Sequence, residues 1–482
     1  MQIDYLNPLI LFPCILIFCL LNYLLPQKFR WILLLAASYA FFYLVGRWTL
    51  LILLGSTVLN YIAGLLLASK RFSKKNLLLL SSVLINIGLL IFFKYFVKTI
   101  SPDSLLFRLL SSDTGSILFP VGLSFYTLQN ISYLVDISTG LIQPERNIGV
   151  FATFLAFFPK ITAGPVERGK NLIPQLRAPE NFKSNNIKDG LWLLLSGLFL
   201  KLVIADRLAL FTNEVFSKPG EYQGLTVFIT LIFLSFQIYL DFAGYTNIAL
   251  GVARLLGIKL TENFKRPYLS VDIMEFWNRW HISFSSWLRD YIFFPLRYKL
   301  LRKKPFNSDL AALVIPPVVT MVISGLWHGT GLTFLVWGLY HALFYTINVV
   351  TKNRNKSAHK KPTLAIRIIA IIVNFFMISF GWLIFKSESL AQALVISHGL
   401  VLKSTTIVQI LKHTYHLDYI LSWVFIGIVI ITEILKESSP QKFDFKNLPF
   451  LMKAVVITFI ILCLTIFGVY QAGGSTFIYG KF

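Results

Sequence analysis

The residue of this chain whose type and setting best fit catalysis is His328. It lies in the segment 324–331 (Ser-Gly-Leu-Trp-His-Gly-Thr-Gly), which joins the apolar runs 310–327 and 332–350. Ionisable side chains at membrane depth are functional candidates, and a neutral imidazole is a suitable general base near pH 7. The segment therefore predicts a catalytic base at His328, and a hydrogen-bonded structural histidine is the alternative.

A second candidate is His281, which follows Arg279 and Trp280 in a charged, Trp-rich stretch. We expect the other five histidines to be structural or solvated: His341, His359, His398, His413 and His416. His341 faces the interior of an apolar run, where we expect it to hydrogen-bond to a neighbouring helix. His413 and His416 have i,i+3 spacing, but their surroundings lack a cluster of further ligands, so we predict no metal site.

Motifs for other chemistries are missing from the sequence. It contains no Gly-x-Ser-x-Gly elbow, no P-loop and no His-Glu-x-x-His motif. A hydrolase with a covalent nucleophile is therefore unsupported. A single base in a membrane-buried site fits direct transfer, in which a hydroxyl is deprotonated and attacks an activated acyl group.

The composition assigns these residues to a membrane protein. Of 482 residues, 56% are hydrophobic and 14% are charged, whereas about a quarter of an average soluble domain is charged. We predict a single all-α, polytopic membrane domain over 1–482, with about 10–13 spans. The apolar runs are 8–25, 31–46, 49–68, 76–97, 117–135, 149–164, 190–216, 224–256, 310–327, 332–350, 367–386, 417–435 and 450–470.

The net charge of +23 is concentrated in short loops between apolar runs. This is the positive-inside pattern, which also attracts anionic lipid headgroups. It predicts membrane lipids as partners, excludes nucleic acid, and places the N-terminus outside and the first loop in the cytoplasm. The clusters are Lys28 and Arg30; Lys70, Arg71, Lys74 and Lys75; Lys299, Arg302, Lys303 and Lys304; and Lys352, Arg354, Lys356, Lys360 and Lys361.

Two further segments depart from plain spans. In 158–168 an apolar run breaks into Pro and Gly before a Glu–Arg pair. Such backbone is tolerated at membrane depth only inside protein or facing water, and a loop outside the bilayer is the alternative. In 263–301 aromatic residues recur at helical spacing, which predicts an amphipathic helix with an i,i+4 Glu275–Arg279 pair. That helix would lie at the interface as an anchor or against the protein's own cavity.

The chain resembles the membrane-bound O-acyltransferase family. More closely, it resembles the bacterial branch that holds membrane subunits of alginate and peptidoglycan O-acetyltransferases and teichoic-acid D-alanyl transfer proteins. The ordered stretches that carry the resemblance are 86–95, 119–127, 158–168, 239–246, 262–268, 276–283 (Phe-Trp-Asn-Arg-Trp-His-Ile-Ser), 287–291, 325–329 and 477–479.

The resemblance implies a ring of helices around a thin central region, with a cytoplasmic funnel and an outer opening that meet near the reactive histidine. His328 matches the family's essential histidine, and His281 matches the second histidine of this branch. The same resemblance implies supporting or substrate-binding roles for four neighbours: Arg279, Trp280, Asp290 and Trp327.

The resemblance also implies a reaction and its participants. An acyl group, in the first instance acetyl, passes from acetyl-CoA or an acylated carrier protein to hydroxyls of an extracytoplasmic polysaccharide or peptidoglycan. It implies no tightly bound cofactor, a multi-pass protein of the bacterial cell (inner) membrane, and an SGNH-type acyltransferase or polysaccharide-synthesis proteins as partners.

One departure loosens the link to alginate. Alginate-type members usually continue after the stretch 287–291 into Pro-Leu-Gly-Gly-Asn, but 294–299 here reads Phe-Pro-Leu-Arg-Tyr-Lys. D-alanyl transfer to teichoic acid is the first alternative function. A transporter without chemistry is the second, but its usual paired broken helices in matching contexts are missing.

Overall fold

The protein is all-helical throughout the part that the computed structural model describes. This part comprises residues 8–101, 103–104, 107, 119–161, 164–303, 309–354, 363–401 and 416–470, and it contains no strand. The prediction of an all-α polytopic membrane protein is confirmed. Several residues singled out by the sequence lie outside the described ranges: Thr162, Ala163, Lys304, Lys356, His359, Lys360, Lys361, His413 and 477–479.

The described residues form two compact units. The first unit takes in Asn7–Leu194 and Ala249–Thr261, and the second takes in Leu195–Ile248 and Glu262–Phe482. Helices of the first unit are α1 (Pro8–Leu24), α2 (Arg30–Val45), α3 (Arg47–Ala68), α4 (Lys75–Ile91), α5 (Leu123–Ser138), α6 (Ile148–Ala156), α7 (Phe158–Ile161) and α8 (Gly169–Arg177). Two helices contribute residues to both units: α9 (Ser184–Leu198) and α11 (Leu225–Leu255).

The second unit contains every sequence-predicted site residue. Its helices are α10 (Asp206–Ser217), α12 (Ile273–Arg279), α13 (Ile282–Leu288), α14 (Phe294–Lys303), α15 (Asp309–His328), α16 (Leu332–Arg354), α17 (Leu364–Lys386), α18 (Leu390–Gly399), α19 (His416–Ser438) and α20 (Phe450–Phe467). Single π-helical turns precede α10 and α14, at Phe199–Ala205 and Arg289–Phe293.

Eight helices in the described ranges are long and apolar enough to cross a membrane: α3, α4, α11, α15, α16, α17, α19 and α20. The sequence predicts more spans, about 10–13. For two of the apolar runs, the structure gives a local reason why the run is not one long helix. The run 149–164 folds into the short helices α6 and α7. The run 190–216 is interrupted by the π-helical turn, where the buried Lys201 Nζ lies 2.8 Å from Asp206 and 2.6 Å from Asp241.

The run 224–256, which exceeds the length of an ordinary span, is one continuous helix. Helix α11 has 31 residues, and most of its apolar window is buried inside the protein. A helix surrounded by protein is not limited by the thickness of the hydrocarbon layer. The length of this run is therefore no evidence that it contains two separate spans.

The described residues of the segment 158–168 are largely buried. Lys160 Nζ donates to Gln129 Oε1 at 2.7 Å, and Gln129 Nε2 donates to the carbonyl of Glu167 at 3.3 Å. The Glu167 carboxylate accepts the backbone N–H of Thr261. These contacts favour irregular backbone inside protein over a loop outside the bilayer.

Helices α15 and α16 form a hairpin whose close approach depends on glycine. A Cβ at Gly338 would lie 2.6 Å from the carbonyl oxygen of Met321, and one at Gly325 would overlap the carbonyl oxygen of Phe334. The two backbones therefore meet at two levels where only hydrogen fits. This contact fixes the end of α15, and with it His328, against α16.

We expect Gly338→Ala to lower the free energy of unfolding by about 1–3 kcal/mol, because overpacking forces a well-packed backbone apart. Denaturant or thermal unfolding of the purified protein in detergent measures this change. Gly427→Ala is the matched control, since a Cβ there meets no atom of the described chain within 4 Å. Equal losses in both variants would contradict the role of the close approach.

Candidate active site

The imidazole of His328 lies at the end of α15 and is 4% exposed. Four aromatic rings surround it, with centroids 4.9 Å (Trp327), 5.4 Å (Trp337), 5.5 Å (Phe284) and 5.5 Å (Phe385) away. Three glycines lie within the seven residues 325–331, and glycine permits sharp turns of the backbone. The structure instead keeps 324–328 helical and turns only at 329–331, so Gly325 serves helix packing.

His281 lies at a break between α12 and α13, with a left-handed backbone (φ 43°). Asn263 holds this break: its carbonyl accepts the N–H of Ile282 at 3.0 Å, and its Oδ1 accepts the Ser283 hydroxyl at 2.6 Å. A non-glycine residue in this conformation needs such support. The predicted amphipathic helix is therefore two short helices. Its aromatic face is buried in the protein, which favours the cavity-facing alternative over a surface anchor.

The two candidate histidines share one pair of stacked aromatic rings. Phe284 stacks on Trp327 with centroids 4.3 Å apart and planes at 26°. The His281 ring lies 5.1 Å from Phe284 and 6.3 Å from Trp327, and His328 contacts the same two rings. The fold thus brings His281 and His328, which are distant in sequence, into one aromatic cluster, in which Phe284 and Trp327 each contact both imidazoles.

The surroundings of His281 keep its imidazole neutral. The side chain is 1% exposed, and burial lowers its pKa to about 3. The ring packs edge-on against Phe242 of α11 at 4.7 Å. Neither ring nitrogen has a hydrogen-bond partner among the described residues. Such a neutral ring can accept one hydrogen bond and donate another.

Arg279 binds carboxylates of the protein itself. Its guanidinium lies 2.6 Å from Glu275, which confirms the predicted i,i+4 pair, and 2.8 Å from Glu437 of α19. Arg266 also binds Glu437. Arg279 therefore fastens the end of α12, two residues before His281, to α19.

Trp280 and Asp290 occupy different surroundings. Trp280 is fully buried, with ring neighbours Trp382 at 4.8 Å and Phe264 at 5.0 Å, so its described contacts are those of a core residue. Asp290 lies in the π-helical turn after α13, where its carboxylate is 3.2 Å from Arg289. Its neighbour Arg289, and not Asp290 itself, lines a cavity in the second unit.

This cavity of about 110 Å³ lies among α12, α13, α15 and α16. Its polar lining includes Asn278, Ser285, Ser286, Arg289, Thr320 and Tyr345. On α15 the lining consists of Pro317, Thr320 and Met321. The cavity can therefore hold a small polar ligand beside the middle of α15.

The sequence did not identify the role of α16 in this cluster. His341 was expected to hydrogen-bond to a neighbouring helix, but neither of its ring nitrogens has a partner in the described part of the chain. That expectation is wrong: His341 packs against Trp337 at 4.8 Å and Trp277 at 5.3 Å. The one-turn spacing of Trp337 and His341 is the signal that could have revealed this face.

Within the described ranges, no group of three or more His, Cys, Asp or Glu side chains is arranged to hold a metal ion. The ring neighbours of His328 are aromatic side chains. An imidazole in this position can deprotonate an organic substrate.

The sequence of the chain matches a known protein family. Residues 146–387 match the model of MBOAT, the membrane-bound O-acyltransferase family. The chain is 34% identical over 388 residues to a probable alginate O-acetylase AlgI of Pseudomonas syringae pv. tomato, covering 80% of this chain and 72% of that protein.

Two further relatives carry other names. A peptidoglycan O-acetyltransferase of Helicobacter pylori is 30% identical, over 73% of this chain and 69% of its own length. A teichoic acid D-alanyltransferase of Bacillus subtilis is 29% identical, over 56% of this chain and 69% of its own length. The matched region contains the candidate histidines and the cavity. The chain is therefore a multi-pass membrane protein that belongs to the membrane-bound O-acyltransferase family and is an O-acyltransferase.

Proposed function

We propose that the protein transfers an acyl group, which we take to be acetyl, from a thioester to a hydroxyl, and that His328 is the general base in this reaction. The observation that carries this proposal is the aromatic cluster in which His328 and His281 contact the same Phe284–Trp327 pair. An imidazole with a free lone pair can take the proton of an alcohol as its oxygen attacks a carbonyl carbon, which is the role of a general base. Removal of water also protects the thioester from hydrolysis.

His281 has a positioning role in this proposal. Its left-handed backbone and its packing against Phe242 fix the ring, while both nitrogens remain available to a substrate. A neutral imidazole can orient the acceptor hydroxyl by one hydrogen bond without competing for its proton. Arg279 supports this position through its ion pair with Glu437.

The donor is acetyl-CoA or an acylated carrier protein that approaches from the cytoplasmic face, and no tightly bound cofactor is needed. Both donors carry anionic phosphates. Helix α14, with Arg297, Lys299 and Arg302, follows the cavity-lining segment in sequence, and Arg289 lines the cavity. These cations attract such donors by long-range electrostatics.

The acceptor is an extracytoplasmic polysaccharide or peptidoglycan in a bacterial cell (inner) membrane setting. An SGNH-type acyltransferase or polysaccharide-synthesis proteins are the partners that would pass the acyl group on. Identity and coverage favour acetyl transfer, since the O-acetylase relatives match over more of the chain than the D-alanyltransferase does. D-alanyl transfer toward teichoic acid is the alternative.

We expect His328→Ala to reduce acylation of the cell-envelope polymer on the order of 100- to 10,000-fold, the usual contribution of a general base. Mass spectrometry of the polymer from cells expressing each variant measures this loss. The exposed His398 provides the control His398→Ala, which should acylate normally. A His328→Ala protein that reaches the membrane at the wild-type level and still acylates the polymer would refute the base.

The same spectra identify the acyl group. We expect an acetyl increment on the polymer of wild-type cells that is missing when His328 is replaced. An alanyl increment, which brings a free amine detectable by amine labelling, would support the D-alanyl alternative. Substrate flux through liposomes without thioester consumption would contradict both.

The neutral state of His281 predicts a pH effect on stability. The unfolded imidazole takes up a proton near its ordinary pKa of 6.5, whereas the folded one resists down to about 3. The neutral His281 ring therefore contributes fully to the free energy of unfolding above about pH 6.5. This contribution is lost as the pH falls, by at most about 1.4 kcal/mol per pH unit.

We expect the wild-type protein to lose thermal stability between pH 6.5 and pH 4 more steeply than His281→Asn. Asparagine tolerates the left-handed backbone but does not titrate there. Thermal unfolding in detergent at several pH values measures the difference, and His398→Asn serves as the control. Parallel curves for wild type and His281→Asn would show that the His281 ring is not held neutral.

A further inference from the structure

The hydroxyl of Ser324 differs from other buried serine hydroxyls of this chain. Buried serines in helices commonly donate to a carbonyl four residues earlier, as Ser38 does to Leu34 at 2.7 Å and Ser379 to Phe375 at 2.8 Å. Ser324 is fully buried, yet within the described residues it is the only serine whose hydroxyl is buried without a hydrogen-bond partner. A buried unsatisfied donor needs a physical explanation.

The position of Ser324 suggests that explanation. It lies one turn before His328 on α15, and side chains four residues apart share one helix face with Cβ atoms about 5–6 Å apart. A carbonyl group can lie between a hydroxyl and an imidazole at that spacing. The side chains of Ser324 and His328 therefore lie on the same face of α15.

A second donor of the same kind comes from α16. Trp337 is 1% exposed, and its Nε1 also has no hydrogen-bond partner in the described chain. Its ring is perpendicular to that of His328, with an interplanar angle of 89° and centroids 5.4 Å apart. Two unpartnered donors thus lie beside one imidazole, on the two helices that the Gly325 and Gly338 contacts hold together.

We propose that the Ser324 hydroxyl and the Trp337 N–H form the oxyanion pocket of the acyl transfer, an inference that rests on the proposed function of His328. The acceptor hydroxyl oxygen bonds to the thioester carbonyl carbon, and its proton passes to His328. The carbonyl electron pair moves onto oxygen, which the two donors bind. When the carbonyl re-forms, the C–S bond breaks and the leaving thiolate takes the proton back from His328.

The unpartnered resting state is consistent with this role. Donors that are fixed before the reaction stabilise the charge that develops on the carbonyl oxygen without reorganising when it appears. A hydroxyl already bonded to the Thr320 carbonyl would first have to break that bond. The apolar rings around His328 strengthen the effect, because they exclude water that would screen the oxyanion.

The test replaces each donor by a residue that lacks the donating hydrogen. We expect Ser324→Ala and Trp337→Phe each to lower polymer acylation in cells, while each variant protein reaches the membrane at the wild-type level. For Ser324→Ala the loss should be on the order of 100-fold. Ser324→Ala should keep or raise the thermal stability of the purified full-length protein, because it removes an unsatisfied hydroxyl. Ser379→Ala is the matched control, because the Ser379 hydroxyl is hydrogen-bonded to both Phe375 and Ser235. This variant should lose thermal stability and keep the wild-type acylation rate.

The outcomes separate this inference from the proposed function. Acylation by Ser324→Ala within twofold of the wild type, with His328→Ala inactive, would overturn the oxyanion pocket alone. Activity of His328→Ala would overturn the base. A fall in the stability of Ser324→Ala that matches its loss of activity would assign Ser324 a structural role. An acyl ester on Ser324, found by peptide mass spectrometry, would make it a nucleophile and also overturn the proposal.

Discussion

The stacking of Phe284 on Trp327 is the contact on which the arrangement of the candidate site depends. It joins α13, which begins after His281, to the last turn of α15, which ends at His328. Stacked aromatic pairs contribute about 0.5–1.5 kcal/mol beyond the area they bury. Here the pair also excludes water from both imidazoles. If the Phe284 and Trp327 rings separated, His281 and His328 would no longer contact the same pair of aromatic rings.

Ion pairs inside the second unit maintain the frame around this contact. Lys201 is buried between Asp206 and Asp241, and Arg279 binds Glu437 beside Arg266. The Lys201 pairs are almost fully buried, and breaking such a pair leaves an uncompensated charge and costs about 3–5 kcal/mol. These groups therefore tie together segments that are distant in sequence, including α19, which lies beyond the region matched by the family model.

The sequence predicts the helical membrane class, the Glu275–Arg279 pair and the two histidines that the fold brings together. It does not predict the break at His281, because that break depends on Asn263, eighteen residues earlier, whose amide replaces the helical hydrogen bonds. Hydropathy also does not reveal that most of the apolar window of α11, a candidate span, is buried inside the protein. The unpartnered Ser324 hydroxyl is likewise invisible in sequence, because every serine carries the same group and only its surroundings decide whether it is bonded.

The cavity that Thr320 and Arg289 line is small. Pockets for drug-sized ligands occupy about 300–1,000 Å³, whereas this one has about 110 Å³. A group held inside this lining is therefore small, and any longer part of the same ligand lies outside the cavity.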